Sequence, residues 1–290
     1  MKAGFVNIFG KPNAGKSTLL NGLLGEKLAI VSSKVQTTRN RIKGFLTKPG
    51  EYQVIFSDTP GIIEPRYKLQ EKMMQSVKSA VEDADVALLI ADVNEPLESN
   101  NGLFASLRLK VPAIIVLNKI DKASKQKIAA AEKYFTEQPY CKALVKISAL
   151  RQDSFTELIN AILQWLPEGD AFYPDDDITD LSQRFFVGEF VREKIFELYG
   201  EEIPYHTAVL VNEFKEKEAL TVIQADIIVV RESQKGILLG EGGKMIKKLG
   251  TDARVEIEKF LGRKVFLQLF IKVRPKWRDN ELQLKEYGYH

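Results

Sequence analysis

Cysteine occurs once in the 290 residues, histidine twice and tryptophan twice, and apolar runs are short. A lone thiol excludes a disulfide framework, and with two histidines it leaves too few soft ligands for a structural zinc site. No apolar run approaches the roughly 18 to 20 residues of a membrane-spanning helix. The first residues, Met1-Lys2-Ala3-Gly4, lead straight into an apolar strand without a signal-peptide core and cleavage site. These absences lead to the expectation of a soluble protein of a reducing compartment, in the cytoplasm. An excess of one charge is also lacking. The 42 Lys and Arg stand against 39 Asp and Glu, so the net charge of +3 says little about partners until its distribution is read. With 44% hydrophobic and 28% charged residues, the chain has the composition of a globular fold and not of a disordered one. At roughly 100 to 200 residues per domain, its length suggests two domains.

Between residue 5 and about residue 166, short apolar runs alternate with helix-length segments. The runs 5–9, 52–56, 86–90, 113–117 and 144–147 are rich in β-branched residues and lead to Gly10, Asp58, Asp92, Asn118 and Ser148. This pattern predicts an α/β domain: a mostly parallel, buried sheet with helices on both faces and ligands held at the carboxyl ends of its strands. Residues 167–180 are rich in Pro, Gly and Asp, include Asp175-Asp176-Asp177, and read as a linker. Beyond them the periodicity predicts a helix at 185–198, strands at 207–214 and 220–231, a Gly-rich turn opening a helix to about residue 260, and a strand at 265–273. That order argues for a smaller α+β domain. The expected division is a nucleotide domain at 1–168, an acidic linker at 169–180 and a second domain at 181–290.

Gly10-Lys11-Pro12-Asn13-Ala14-Gly15-Lys16-Ser17 fits G-x-x-x-x-G-K-[ST], follows a strand and, with Thr18, opens a helix. Such a loop wraps phosphates with backbone N–H groups at the positive end of a helix. Lys16 is expected to reach the β- and γ-phosphates, and Ser17 to ligate Mg²⁺. Asp58-Thr59-Pro60-Gly61 ends the next apolar strand. Its carboxylate can hold Mg²⁺ through water, and the Gly61 N–H can bond a γ-phosphate and lose it after hydrolysis. Asn118-Lys119-Ile120-Asp121 follows a later strand. Asp121 can accept from guanine N1–H and the exocyclic amine while Asn118 and Lys119 brace the base; adenine would leave that carboxylate unpaired. Ser148-Ala149-Leu150 completes the set, with the Ala149 N–H expected to donate to guanine O6. In the polar stretch Gln36-Thr37-Thr38-Arg39-Asn40, Thr38 is the first choice for a magnesium hydroxyl and Thr37 the second. Arg39 and Arg41 read as solvated loop residues, and no arginine finger is identified.

The ordered set G-K-P-N-A-G-K-S-T, Q-T-T-R-N, D-T-P-G, N-K-I-D and S-A-L resembles the Era GTPases of the TrmE–Era group, and the resemblance covers nearly the whole chain. It implies a P-loop NTPase domain that hydrolyses GTP to GDP and phosphate with Mg²⁺. It also implies a potassium site to which Asn13 contributes, and magnesium ligands Ser17, Thr38 and Asp58. Lys16, Thr38 and Gly61 are the expected catalytic residues. Ile62 stands where Ras-like enzymes carry a water-orienting glutamine, so slow intrinsic turnover is expected.

The net charge hides a division in the second half. Residues 181–230 hold 5 basic and 9 acidic side chains, a net −4, whereas residues 231–278 hold 13 basic and 5 acidic, a net +8. The positive stretch carries Gly240-Glu241-Gly242-Gly243 with Lys244, Lys247 and Lys248 after it. A G-x-x-G turn opening a helix brings backbone N–H groups to a nucleic-acid backbone, and the lysines supply phosphate contacts. The order of elements resembles the type II KH domain of the same family, which implies binding of small-subunit (16S) ribosomal RNA near its 3′ end and a role in 30S subunit assembly. Glu241 departs from that pattern by placing an acid in the loop. Two alternatives stay open: a nucleotide-gated RNA-binding module whose hydrolysis is incidental, and a membrane-associated signalling module with the +8 stretch on anionic lipid at the cytoplasmic face of the inner membrane. A monomer is expected. Trp277 reads either as a base-stacking residue or as an anchor for the C-terminal segment; Cys141, His206 and His290 read as inert, structural or solvated. Phe185, Phe186, Phe190 and Phe196 fall at core spacing.

Overall fold

The computed structural model describes residues 1–289, so His290 lies outside the described residues. The chain forms two compact units, residues 1–65 with 73–180 and residues 66–72 with 181–290.

In the first unit a six-stranded sheet has the order β2-β3-β1-β4-β5-β6, from β1 (Lys2–Phe9), β2 (Ile42–Lys48), β3 (Tyr52–Asp58), β4 (Val86–Asp92), β5 (Ala113–Asn118) and β6 (Cys141–Lys146). All neighbours are parallel except β2, which runs antiparallel to β3 with Ile42 opposite Asp58 and Lys48 opposite Tyr52. The central strands are buried on both faces, as their continuous apolar runs require. Helices α2 (Lys68–Glu82), α3 (Leu97–Ser106) and α4 (Lys125–Thr136) cover one face, where Val77, Phe104 and Phe135 pack with Phe9, Leu89 and Ile115. The opposite face is covered by α1 (Lys16–Leu24) and α5 (Phe155–Trp165), which bury Leu19, Leu20, Leu158 and Ile162. The strand order reverses beside β1, which opens the ligand crevice at its carboxyl end.

Two features of this unit differ from the sequence reading. Strand β2 was not anticipated, because Lys43, Gly44, Thr47 and Lys48 interrupt any apolar run; it is an edge strand whose pattern reflects one covered side. The acid-rich segment 169–180 is not a bare tether. The Phe45 N–H donates to Ile178 O at 2.9 Å, the Thr179 hydroxyl to Lys43 O at 2.7 Å, and Tyr173 stacks on Phe45 at 3.9 Å between ring centroids. Gln53 Oε1 accepts from the backbone of Phe172 and Tyr173. The segment thereby covers the edge that β2 would otherwise present.

The second unit contains α6 (Gln183–Leu198), α7 (Ile203–His206), β7 (Ala208–Glu216), β8 (Thr221–Val229), α8 (Glu232–Leu239), α9 (Lys244–Leu261), β9 (Val265–Val273) and α10 (Glu281–Glu286), with sheet order β7-β8-β9. The first pair is antiparallel and the second parallel. The expected strand 220–231 stops at Val229, and residues 232–239 form α8, so the Gly-rich turn joins two helices. Phe186 and Phe190 pack on Phe260, and Phe196 on Tyr205, which makes this aromatic set core. Trp277 is fully buried: its Nε1–H donates to His206 O at 3.0 Å, and its ring packs with Tyr287 and Tyr289. The anchor reading therefore replaces base stacking. His206 Nδ1 pairs with the Gln234 amide at 2.7 Å. Among the described residues no helix is long and apolar enough to cross a membrane.

Candidate functional site

The crevice beside β1 is a cavity of about 370 Å³ lined by Pro12, Asn13, Gly15, Lys16, Ser17 and Thr18, by residues 30–33 and 36–38, and by Gly61, Lys119 and Lys122. Its phosphate loop depends on Gly15. The backbone there has φ 104°, and an added Cβ would lie 2.2 Å from Asn118 Nδ2. Lys16 lies folded across the loop, donating from Nζ to Lys11 O at 2.9 Å and Gly10 O at 3.2 Å. Burial lowers its ammonium to about 8, against the raising influence of the Asp58 charge. A phosphate oxygen can take over those carbonyl contacts and restore the proton affinity.

Three oxygens meet beside Lys16. Ser17 Oγ donates to Asp58 Oδ2 at 2.6 Å, Thr38 Oγ1 donates to the same oxygen at 2.9 Å, and the two hydroxyls are 3.0 Å apart. Burial raises the Asp58 carboxyl above its ordinary value, opposed by Lys16 and by the two hydroxyl hydrogen bonds. Asp58 Oδ1 is buried with no hydrogen-bond partner among the described residues. An all-oxygen set with an orphaned carboxylate oxygen fits a small hard cation such as Mg²⁺. Thr37 lines the cavity, and Thr38 is the threonine bonded to Asp58.

The other expected residues divide by what their side chains touch. Asn118 ties the strand end to the phosphate loop and to Ala149: its Nδ2 donates to Ala14 O at 2.9 Å, and its Oδ1 accepts from the Ala149 N–H at 3.0 Å. The Ala149 N–H, expected at guanine O6, donates to Asn118 here. Asp121 accepts at Oδ1 from Ser148 Oγ at 2.8 Å, so Ser148 orients the carboxylate. Leu150 is 72% exposed. Thr59 spends its hydroxyl on Ile8 O at 2.7 Å, a structural bond, and Pro60 is buried beside it. Gly61 lies against Pro12, and the next N–H, of Ile62, donates to Gly10 O at 3.4 Å while the Ile62 side chain packs on the core. Asn13, at φ 61°, donates from Nδ2 to Ser33 O at 2.7 Å.

Several contributors escaped the sequence reading because their partners are remote. Asp92 Oδ2 holds Lys119 Nζ at 2.8 Å. Burial works against the Asp92 charge, but the bonds from Lys119 and Asn94 prevail and hold its carboxyl below the ordinary value. Lys122 lines the cavity one residue after N-K-I-D, a position that the motif leaves open. Arg39 and Arg41 are not solvated. Arg39 is 4% exposed, and Arg41 bonds Ser57, Asn7 and Asp83.

A second surface lies on the other unit. Gly240, with φ 67°, turns the chain between α8 and α9, and an added Cβ would lie 2.5 Å from Met245 Cγ. Gly242 is open, Gly243 caps the start of α9, and Glu241, Lys244, Lys247 and Lys248 are exposed. Lys244 pairs with Glu241 at 3.5 Å and Lys248 with Asp252 at 2.8 Å. Such exposed pairs are worth about 1 kcal/mol or less and exchange readily for phosphate contacts. Between α9 and β9 runs a groove of about 340 Å³ lined by Ile246, Lys247, Thr251, Arg254, Leu267 and Leu269. Its apolar floor and basic rim suit unstacked bases on a phosphate chain. Thr251 and Arg254 were missed, since only the helix places them about one and two turns beyond Lys247.

Comparison with known proteins agrees with this geometry. Residues 5–119 match a family model described as a 50S ribosome-binding GTPase, and residues 202–278 match a KH domain. The GTPase Era of Geobacter sp. (strain M21) is 45% identical over 99% of this chain and 98% of its own; that of Clostridium beijerinckii is 42% identical over 99% and 97%. A crystal structure of an Aquifex aeolicus Era variant bound to GDP and AlF4− superposes with a TM-score of 0.96 at 42% identity, covering 100% of this chain and 99% of that one. A crystal structure of Era with MgGDPNP and nucleotides 1506–1542 of 16S ribosomal RNA gives 0.95 at 42% identity, with the same coverage.

Proposed function

The chain belongs to the GTPase Era family and is a GTPase; from that premise we propose that it couples GTP hydrolysis at the first cavity to the binding of 16S ribosomal RNA, near its 3′ end, along the G-x-x-G groove. The observation that carries the catalytic part is the meeting of Ser17, Thr38 and Asp58 oxygens beside Lys16. In this reading residues 1–168 carry the nucleotide, 169–180 join the halves, and 181–290 carry the RNA. The protein works in the cytoplasm as a monomer in 30S subunit assembly.

The phosphate-loop N–H groups and Lys16 bind and orient the β- and γ-phosphates, and Lys16 stabilises charge as it builds on them. Ser17, Thr38 and Asp58 would hold Mg²⁺, which when bound would supply positive charge to offset that of the phosphates. The Gly61 N–H contacts the γ-phosphate and senses its loss. Asp121, held by Ser148, accepts from guanine, and Lys119, held by Asp92, flanks it. Because Ile62 packs on the core, it does not orient the attacking water, and slow intrinsic turnover is expected. Asn13 contributes its amide oxygen to a potassium site; replacing it with Asp is expected to abolish a K⁺-over-Na⁺ rate advantage, and an unchanged advantage refutes that role.

The RNA reading is tested by equilibrium binding of a 3′-terminal 16S oligonucleotide and of anionic liposomes across a salt series. Tight, salt-dependent RNA binding without liposome binding is expected. Liposome binding without RNA binding overturns the reading in favour of a membrane-associated module.

A further inference from the structure

Arg41 stands where the loop carrying Thr38 enters β2, and its side chain is 13% exposed. Nε and Nη2 donate to Ser57 Oγ at 3.0 and 2.9 Å, and Nη2 also reaches Asn7 Oδ1 at 3.1 Å and Asp83 Oδ1 at 3.0 Å. Nη1 completes a two-pronged pair with Asp83 Oδ2. Asn7 in turn donates to Ala80 O at 2.6 Å and Asp83 Oδ1 at 2.8 Å. One guanidinium therefore ties the start of β2 to β1, to β3 and to the end of α2. None of these four side chains lines the nucleotide cavity.

The position of this knot matters for the metal ligands. Ser57 immediately precedes Asp58, and the β2–β3 register places Ile42 opposite Asp58. Thr38 lies three residues before Arg41, a span of at most about 10 Å of chain. At the other end of the loop, Asn21 of α1 accepts from the Leu28 and Ala29 N–H groups and donates to Ala29 O. Between those clamps, residues 30–40 contain neither helix nor strand. Mg²⁺ demands near-ideal octahedral geometry with ligands at about 2.0 to 2.1 Å, which leaves little tolerance for displacement. A hydroxyl on an irregular loop meets that tolerance only if the loop's anchor is fixed.

We propose that Arg41, held by Asp83, Ser57 and Asn7, is a positioning residue that fixes Thr38 against Asp58 for magnesium. The inference rests on the reading of Ser17, Thr38 and Asp58 as the magnesium site. A lysine cannot replace the fork, because the four acceptor oxygens match the planar spread of a guanidinium and not the compact point charge of one ammonium. Asp83→Asn keeps the shape but turns an N–H₂ toward the Arg41 fork.

The test is release of a fluorescent, non-hydrolysable GTP analogue from the full chain, with Mg²⁺ titrated from an EDTA baseline, for wild type, Arg41→Lys, Asp83→Asn and Thr38→Ala. In EDTA, release from both network variants is expected within about twofold of wild type. The Mg²⁺ concentration that half-slows release is expected to rise by about tenfold or more in Arg41→Lys, the usual scale for residues behind a metal ligand. Asp83→Asn should shift it in the same direction, and kcat should fall with KM for GTP unchanged. An unmoved Mg²⁺ midpoint in both network variants, with Thr38→Ala shifting it, overturns this proposal alone. If Thr38→Ala also leaves the midpoint unmoved, the magnesium-site reading itself fails. Faster release in EDTA to the same extent as in Mg²⁺ assigns Arg41 a purely structural role and equally overturns the proposal.

Discussion

Replacing Asp121 by Asn should redirect base specificity from guanine to xanthine, and the bond from Ser148 determines how. Ser148 Oγ donates to Asp121 Oδ1 at 2.8 Å. In the variant that hydroxyl selects the carbonyl oxygen of the new amide, so the N–H₂ group takes the place of Oδ2. A donor then faces the exocyclic amine of guanine, itself a donor, and one charge-assisted hydrogen bond is lost while the amine is left unpaired. Hydrogen bonds to charged groups are worth about 1.5 to 3 kcal/mol and an unpaired buried polar group costs about 1 to 3 kcal/mol. A loss of about 3 kcal/mol corresponds to roughly a hundredfold weaker Kd for GDP. Xanthine carries a carbonyl oxygen where guanine carries the amine, so XDP should tighten by a comparable factor. Competition of GDP and XDP against a fluorescent nucleotide measures both. The added change Ser148→Ala should blunt the switch, since either orientation of the amide is then open. A variant that keeps its preference for GDP, or weakens both nucleotides equally, refutes the assignment of Asp121 to the base.

Nucleotide binding should take up protons. With free Lys16 near 8 and the phosphates favouring its charged form, binding is expected to absorb about half a proton at pH 8 and about a tenth at pH 7, and affinity should fall as pH rises from 8 toward 9. Calorimetry in buffers of different ionisation enthalpy measures this, and Lys16→Met should abolish it. Lys247→Ala should weaken RNA binding and lower the slope of log K against log salt by about 0.7, with GTP turnover unchanged. Trp277→Ala should destabilise the second unit by about 3 to 5 kcal/mol, because it removes a fully buried ring and the donor to His206 O; urea unfolding followed by far-UV circular dichroism checks it.

The parts legible in the sequence were those in which local spacing dictates the chemistry. The loop Gly10–Ser17, Asp58 at a strand end and N-K-I-D at another follow from how phosphates and guanine must be held, and continuous apolar runs marked the central strands. The rest depended on partners far along the chain. Strand β2 carries polar residues because it lies at an edge, and segment 169–180 reads as a linker until Gln53 and Phe45 are seen to receive it. Asn118 faces both the phosphate loop and Ala149, which are 104 and 31 residues away. Arg41 meets Asp83 at a separation of 42 residues, so its motif neighbourhood, a polar loop, suggested solvent. Helix α8 is not legible because residues 232–239, only eight long, lie between the expected strand 220–231 and the Gly-rich turn.

The most direct measurement is the affinity of the full chain for a 3′-terminal 16S ribosomal RNA oligonucleotide, compared at one salt concentration between the form loaded with a non-hydrolysable GTP analogue and the GDP form. If the nucleotide site governs the groove, the two affinities differ by about tenfold, within the usual range of coupling between sites, and RNA shifts the affinity for the GTP analogue relative to GDP by the same factor. Equal affinities in both forms would contradict coupling and leave a GTPase and an RNA-binding surface acting independently in one chain.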